Sequence, residues 1–183
     1  GNRYDISIQE FRRPEFEVAV KADAADHFMD GRASVEARAS YFAGGVLTSS
    51  PIIWRANSKK ASYNPPGWDG FTFGQWRPWW GRFWDEANEE TVSHSLEVST
   101  DSLGKSAIDI DLGRNLPPTP VTLSVSAAVS DVNRQTWSGS TSFLVHPADL
   151  YVGIKTDKYS YQQLVKPNLD FIVTTLDGKA VPK

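Results

Sequence analysis

Between Val121 and Val129, five apolar residues (Val121, Leu123, Val125, Ala127 and Val129) stand at every second position of a run otherwise made of Ser, Thr and Ala. A period of two places all five on one face of an extended strand, whereas a helix would scatter them around its circumference. The same alternation recurs along the chain. Phe16, Val18 and Val20 oppose Glu15, Glu17 and Lys21; Val35, Ala37, Ala39 and Tyr41 oppose Ser34, Glu36, Arg38 and Ser40; and Ile108, Ile110 and Leu112 flank Asp109 and Asp111. Shorter runs at Pro51 to Ala56 and Ser95 to Ser99, and a return run carrying Trp137, Thr141, Phe143 and Val145, bring the expected strands to seven before Pro147. Turn residues separate them: Gly44-Gly45, Asp101 to Lys105 with Gly104, and Asp131 to Gln135. Seven alternating strands with almost no helical period predict an all-β fold: a seven-stranded antiparallel sandwich of immunoglobulin or fibronectin type spanning residues 1–147.

Composition narrows the function. With 19 basic and 22 acidic side chains the formal net charge is −3, so the chain carries no electrostatic footprint for nucleic acid. No apolar run approaches the roughly 18 residues of a membrane-spanning helix, and direct membrane insertion is not expected. The absence of cysteine removes disulfides, thiolate metal sites and cysteine nucleophiles. His27, His94 and His146 fall in separate segments, without metalloprotease spacing or a nucleophile elbow. No phosphate or dinucleotide loop is present, so no catalytic residue, cofactor or metal is expected. Asp109 and Asp111 read as surface charge, with a weak calcium site as the alternative. Asp85, Glu86, Glu89 and Glu90 read as a solvated helix face.

The 37 residues from Asn57 to Ser93 far exceed an ordinary hairpin connection and form an insertion. It holds five of the seven tryptophans. Pro65-Pro66-Gly67 and Asp69-Gly70 impose turns, and Trp76, Trp80, Phe83, Trp84 and Ala87 follow Pro78 at helical spacing, predicting one short helix. The aromatic cluster of Trp68, Phe71, Phe73, Trp76, Trp79, Trp80, Phe83 and Trp84 has two readings. As a small core, it packs its rings on one another over an open end of the sandwich, with at least three of the tryptophans mostly buried, because so many large rings cannot all face water. As a platform, it stacks on carbohydrate or anchors a protein partner.

After Pro147 the pattern restarts. Leu150 to Thr156 and the alternation of Leu169, Phe171 and Val173 predict two or three strands, with Asp177-Gly178 as a hairpin turn. Residues 148–183 are too few for an independent sandwich. They are expected either to pair with the first domain or another copy, or to be far more mobile than it.

Four stretches carry a family resemblance: IQEFRRPEFEV at Ile8 to Val18, ASVEARASYFAGGVLTSSPIIWRA at Ala33 to Ala56, YNPPGWDGFTFG at Tyr63 to Gly74, and Phe143 onward through LDGKAVP at Leu176 to Pro182. They resemble the macroglobulin-like domains of the bacterial alpha-2-macroglobulin family, specifically the third such domain and the start of the next. The resemblance implies a scaffold piece of a large protease-trapping inhibitor. Its partners would be the neighbouring macroglobulin-like domains, with proteases as targets of the whole protein. It also implies a periplasmic or extracellular location, with a lipoprotein anchor in some members, and a role in bacterial defence. Family members that trap covalently use a Cys-x-Glu-Gln thioester, for which this chain lacks the cysteine. No stretch resembles a bait region, so no functional residue carries over. A carbohydrate- or protein-binding module using the tryptophans is the rival reading.

Overall fold

In a computed structural model, residues 15–74, 93–113, 116–157, 166 and 168–182 are described. They form eleven strands: β1 (Phe16–Ala22), β2 (His27–Phe28), β3 (Arg32–Tyr41), β4 (Pro51–Lys60), β5 (Thr72–Phe73), β6 (Ser93–Ser99), β7 (Lys105–Asp111), β8 (Val121–Ser130), β9 (Thr136–His146), β10 (Leu150–Thr156) and β11 (Leu169–Thr175). No helix occurs among the described residues, and the helix expected after Pro78 lies outside them.

The alternating runs become two sheets with one shared core. A three-stranded sheet runs β1-β3-β7 and a five-stranded sheet runs β2-β9-β8-β4-β6. Register follows the hydrophobic pattern: Val18 faces Ala39, Val35 faces Ile108, and Trp54 faces Ala127. A slip of one residue would turn each of these rows to water, so burial fixes the pairing. Phe16, Val35, Ile52, Trp54, Val125, Val129 and Val145 are all buried in a single apolar cluster. Trp54 reaches from one sheet to the other, its indole N–H donating to Ser106 Oγ on β7 at 3.1 Å.

Two turns use the same construction. Gly104 N–H and Arg134 N–H bond back to the carbonyls of Asp101 and Asp131, at 3.1 Å each. Both close with a left-handed residue, Gly104 at φ 69° and Arg134 at φ 60°. The aspartate carboxylates hold the loops, Asp101 accepting from Leu103 and Lys105 N–H and Asp131 from Gln135 N–H, all at 2.8 Å. β9 crosses close beneath β1, where a Cβ on Gly139 would lie 2.1 Å from the Val18 carbonyl oxygen. Only glycine permits that approach.

Three features depart from the sequence expectation. β2, an eighth strand of the two sheets, pairs parallel to the end of β9. β4 continues four residues beyond Ala56, to Lys60, through a polar stretch that shows no alternation. Trp137, placed with the inward residues of its run, is 46% exposed.

The tail is ordered by its neighbour. β11, β10 and β5 make a third sheet, in which Gly153 and Ile154 of β10 pair with Phe73 and Thr72 from the aromatic insertion. Beyond β11 the Asp177-Gly178 turn returns the chain along the strand, Val181 N–H bonding to the Val173 carbonyl at 2.8 Å.

Candidate functional site

The aromatic insertion and the tail meet at one joint beside the end of the five-stranded sheet. Tyr63, beyond the end of β4, donates its hydroxyl to the Leu176 carbonyl at 2.7 Å. Trp68 follows the double-proline turn and donates its indole N–H to the Gly178 carbonyl at 2.8 Å. Each aromatic thus satisfies a backbone acceptor of the Asp177-Gly178 turn. Gly178 adopts φ +80°, and a Cβ there would come within 2.1 Å of the Pro66 carbonyl oxygen. The turn residue and the proline segment are therefore fitted to each other, and no other side chain is accommodated.

Phe73 is buried over the tail sheet, its ring 2.7 Å from where a Cβ of Gly153 would stand. Trp68 and Phe71 pack edge to face at 5.7 Å, and the Lys155 ammonium lies 5.7 Å above the Phe71 ring. Of the aromatic cluster singled out in the sequence, these three are what the structure describes. Phe73 is buried, while Trp68 and Phe71 are half-buried. Trp76, Trp79, Trp80, Phe83 and Trp84 lie outside the described residues, as do Asp85, Glu86, Glu89 and Glu90.

Sequence reasoning missed the centre of the joint. His146 closes β9 and Tyr151 lies in β10, both buried, with Nδ1 and the phenol oxygen 2.9 Å apart. Tyr63 packs on both, its ring 4.7 Å from His146 and 5.2 Å from Tyr151. Burial lowers the proton affinity of His146, with the charge of Asp26 working in the opposite direction. Burial, reinforced by Tyr63, pushes the Tyr151 phenol up to about 12. The result is a neutral imidazole against a neutral phenol, a polar pair suited to holding two sheets together rather than to activating a nucleophile. His27 and His146, remote in sequence, stand at neighbouring positions here because β2 pairs with β9. His27 binds Asp23 at 3.1 Å and packs on Phe143. His94 is exposed on β6.

At the turn, Asp177 accepts hydrogen bonds from Lys179 and Thr175, which depress its carboxyl to about 2. The Lys179 ammonium is 2.5 Å away. Asp109 and Asp111 stand opposite Ser34 and Arg32 on β3. Among the described residues, no group of three acidic or histidine side chains is placed to hold a metal.

One polar atom in the joint is unsatisfied. Thr174, paired with Tyr151 across the sheet, is wholly buried, and its hydroxyl finds no hydrogen-bond partner among the described residues. Thr174→Val keeps the shape and removes the orphaned group. It is expected to raise unfolding stability by about 1 kcal/mol, read as a higher urea midpoint at unchanged slope.

Two sheets around one core, followed by a third sheet bound to an aromatic insertion, define an all-β chain of macroglobulin-like domain architecture, without helices among the described residues. The chain resembles the bacterial alpha-2-macroglobulins over most of its length. It is 28% identical over 155 residues to an alpha-2-macroglobulin homolog of Nostoc sp., an alignment covering 84% of this chain and 8% of that protein. A second similarity, 26% over 162 residues, is to the Circularly permutated Ras protein 2 of Dictyostelium discoideum, covering 83% of this chain and 4% of that one. Native E. coli alpha-2-macroglobulin, solved by cryo-EM, superposes with a TM-score of 0.64 at 11% identity, over 93% of this chain and 11% of that one. At that identity the superposition establishes the fold. No family model matches the sequence. The chain therefore spans less than a tenth of the length of the curated relatives it matches.

Proposed function

We propose that this chain is an architectural segment of a bacterial alpha-2-macroglobulin-like protease-trapping inhibitor, with neither bait region nor thioester of its own. The observation that carries the reading is the similarity to the Nostoc homolog, which runs through most of the chain. The E. coli superposition supports it at the level of fold. In this reading residues 1–147 are one macroglobulin-like domain and 148–183 open the next. The exposed apolar row of Leu150, Val152, Ile154, Leu169 and Phe171 on the tail sheet supports that division, because a sheet with one bare apolar face is half of a sandwich. The segment performs no catalysis. Its partners are the neighbouring domains, proteases meet the whole protein, and the setting is periplasmic or extracellular.

The direct test compares the 183-residue chain with the whole protein of which it would be part. The chain, mixed at equal concentration with trypsin, is expected neither to slow digestion of a protein substrate nor to form an adduct. The whole protein is expected to slow digestion. Trapping by the chain alone, or failure of the whole protein to slow trypsin, elastase and subtilisin alike, overturns the proposal.

A further inference from the structure

We propose that the meeting point of Tyr63, His146 and Tyr151 is a proton-operated latch: charging His146 frees the 61–74 segment and the β5-β10-β11 sheet from the end of the sandwich, while the sandwich itself stays folded. The inference does not depend on the functional reading above, since it concerns only how two parts of this chain are held together.

Three observations place the latch. His146 is 6% exposed and ends β9, the last strand of the larger sheet. Its contacts divide between the two parts. On the sandwich side its carbonyl accepts Met29 N–H at 2.9 Å and its ring lies 5.9 Å from Phe28. On the other side its ring touches Tyr63 and its Nδ1 meets the Tyr151 hydroxyl. The imidazole is thus a polar side-chain link between β9 and the tail sheet, whereas the sandwich holds together through a separate apolar core.

The surroundings favour the uncharged ring. The segment before β2 brings Asp26, whose charge reaches His146 and favours the proton. The connection after β4 brings Tyr63, and β10 brings Tyr151, whose phenol is held protonated. β8, which pairs with β9, carries no titratable residue. The neighbouring His27 of β2 packs on Phe143 and Asp23 instead. Desolvation outweighs Asp26, so the folded ring binds a proton less readily than a free histidine. The neutral joint has its full stability above the ordinary histidine value of about 6.5 and loses it progressively as pH falls from there to the lower folded value, because in that window the opened state binds a proton that the closed state does not.

The experiment is hydrogen exchange on the 183-residue chain at about pH 7.5 and about pH 5, with rates expressed as protection factors so that the intrinsic pH dependence cancels. Tyr151, Gly153 and Thr174 are expected to lose protection at the lower pH, through linked proton uptake by the opened state. Val125 and Ala127 of β8 should hold theirs. His146→Gln retains hydrogen-bonding capacity toward Tyr151 but cannot titrate, so its tail protection is expected to be the same at both pH values. Unchanged protection in the wild type, an equal loss in β8 and the tail, or a His146→Gln variant that responds like the wild type overturns the latch. A direct NMR titration of the wild-type imidazole keeps the test independent of the variant's folding: a value at or above that of a free histidine also overturns it.

Discussion

Trp54→Ala is expected to destabilise the sandwich by about 3–5 kcal/mol, the range for truncating a large buried aromatic. Trp54 is 1% exposed and lies in the single cluster shared by both sheets. Its indole also supplies the 3.1 Å bond to Ser106 that crosses from β4 to β7. The substitution therefore leaves a large cavity between the layers and strips Ser106 of its donor. The strands on either side are fixed by their own ladders and cannot collapse into the space. Chemical denaturation monitored by far-UV circular dichroism should show a much lower midpoint. Trp54→Phe, which keeps most of the ring and loses the bond, should cost less than half as much. Equal losses for both variants would mean that the hydrogen bond, rather than the packed volume, holds the sheets together.

Gly178→Val should act at the joint and leave the sandwich standing. The substitution demands a β-branched residue at φ +80° and drives its Cβ into the Pro66 carbonyl. Backbone strain and overlap together are expected to cost about 3 kcal/mol at the joint. The Trp68 and Tyr63 bonds to the turn should be lost with it, because one acceptor is the displaced residue's own carbonyl and the other lies two residues before it. Limited proteolysis should cut residues 148–182 much faster than in the wild type, while the circular dichroism midpoint of the sandwich stays within about 0.5 kcal/mol. Resistance equal to the wild type would show that the turn can re-form away from Pro66.

Much of the fold was legible in the residues because burial on one face writes a period of two into the chain. The runs at Phe16 to Val20, Ala33 to Tyr41 and Val121 to Val129 became β1, β3 and β8 with the expected faces inward. The two-residue strands β2 and β5 are too short to carry any period. The extension of β4 through Asn57-Ser58-Lys59-Lys60 is held by its ladder with β8, not by apolar alternation. The joint was visible only in pieces. The double-proline stretch, the Asp177-Gly178 turn and the aromatic richness all stood out. Nothing local to Trp68 reveals that its partner is the carbonyl of Gly178, 110 positions away. His146 and Tyr151 gave no sign of their pairing either, since a lone histidine and a lone tyrosine in separate strands acquire meaning only when topology brings them together.

The pairing of β5 with β10 also bears on how the chain is made. Phe73 and Gly153 are partners across 80 positions of sequence (153 − 73). A ribosome adding about 5–20 residues per second would need roughly 4–16 s to deliver the second strand after the first. For most of that interval the aromatic segment waits beside a sandwich that still lacks all or part of β8 and β9. A tail emerging on an adjacent ribosome presents the same β10 edge, so two nascent chains can exchange strands before either is complete. Slower translation of the residues between β5 and β10 would prolong this exposure, and faster translation would shorten it.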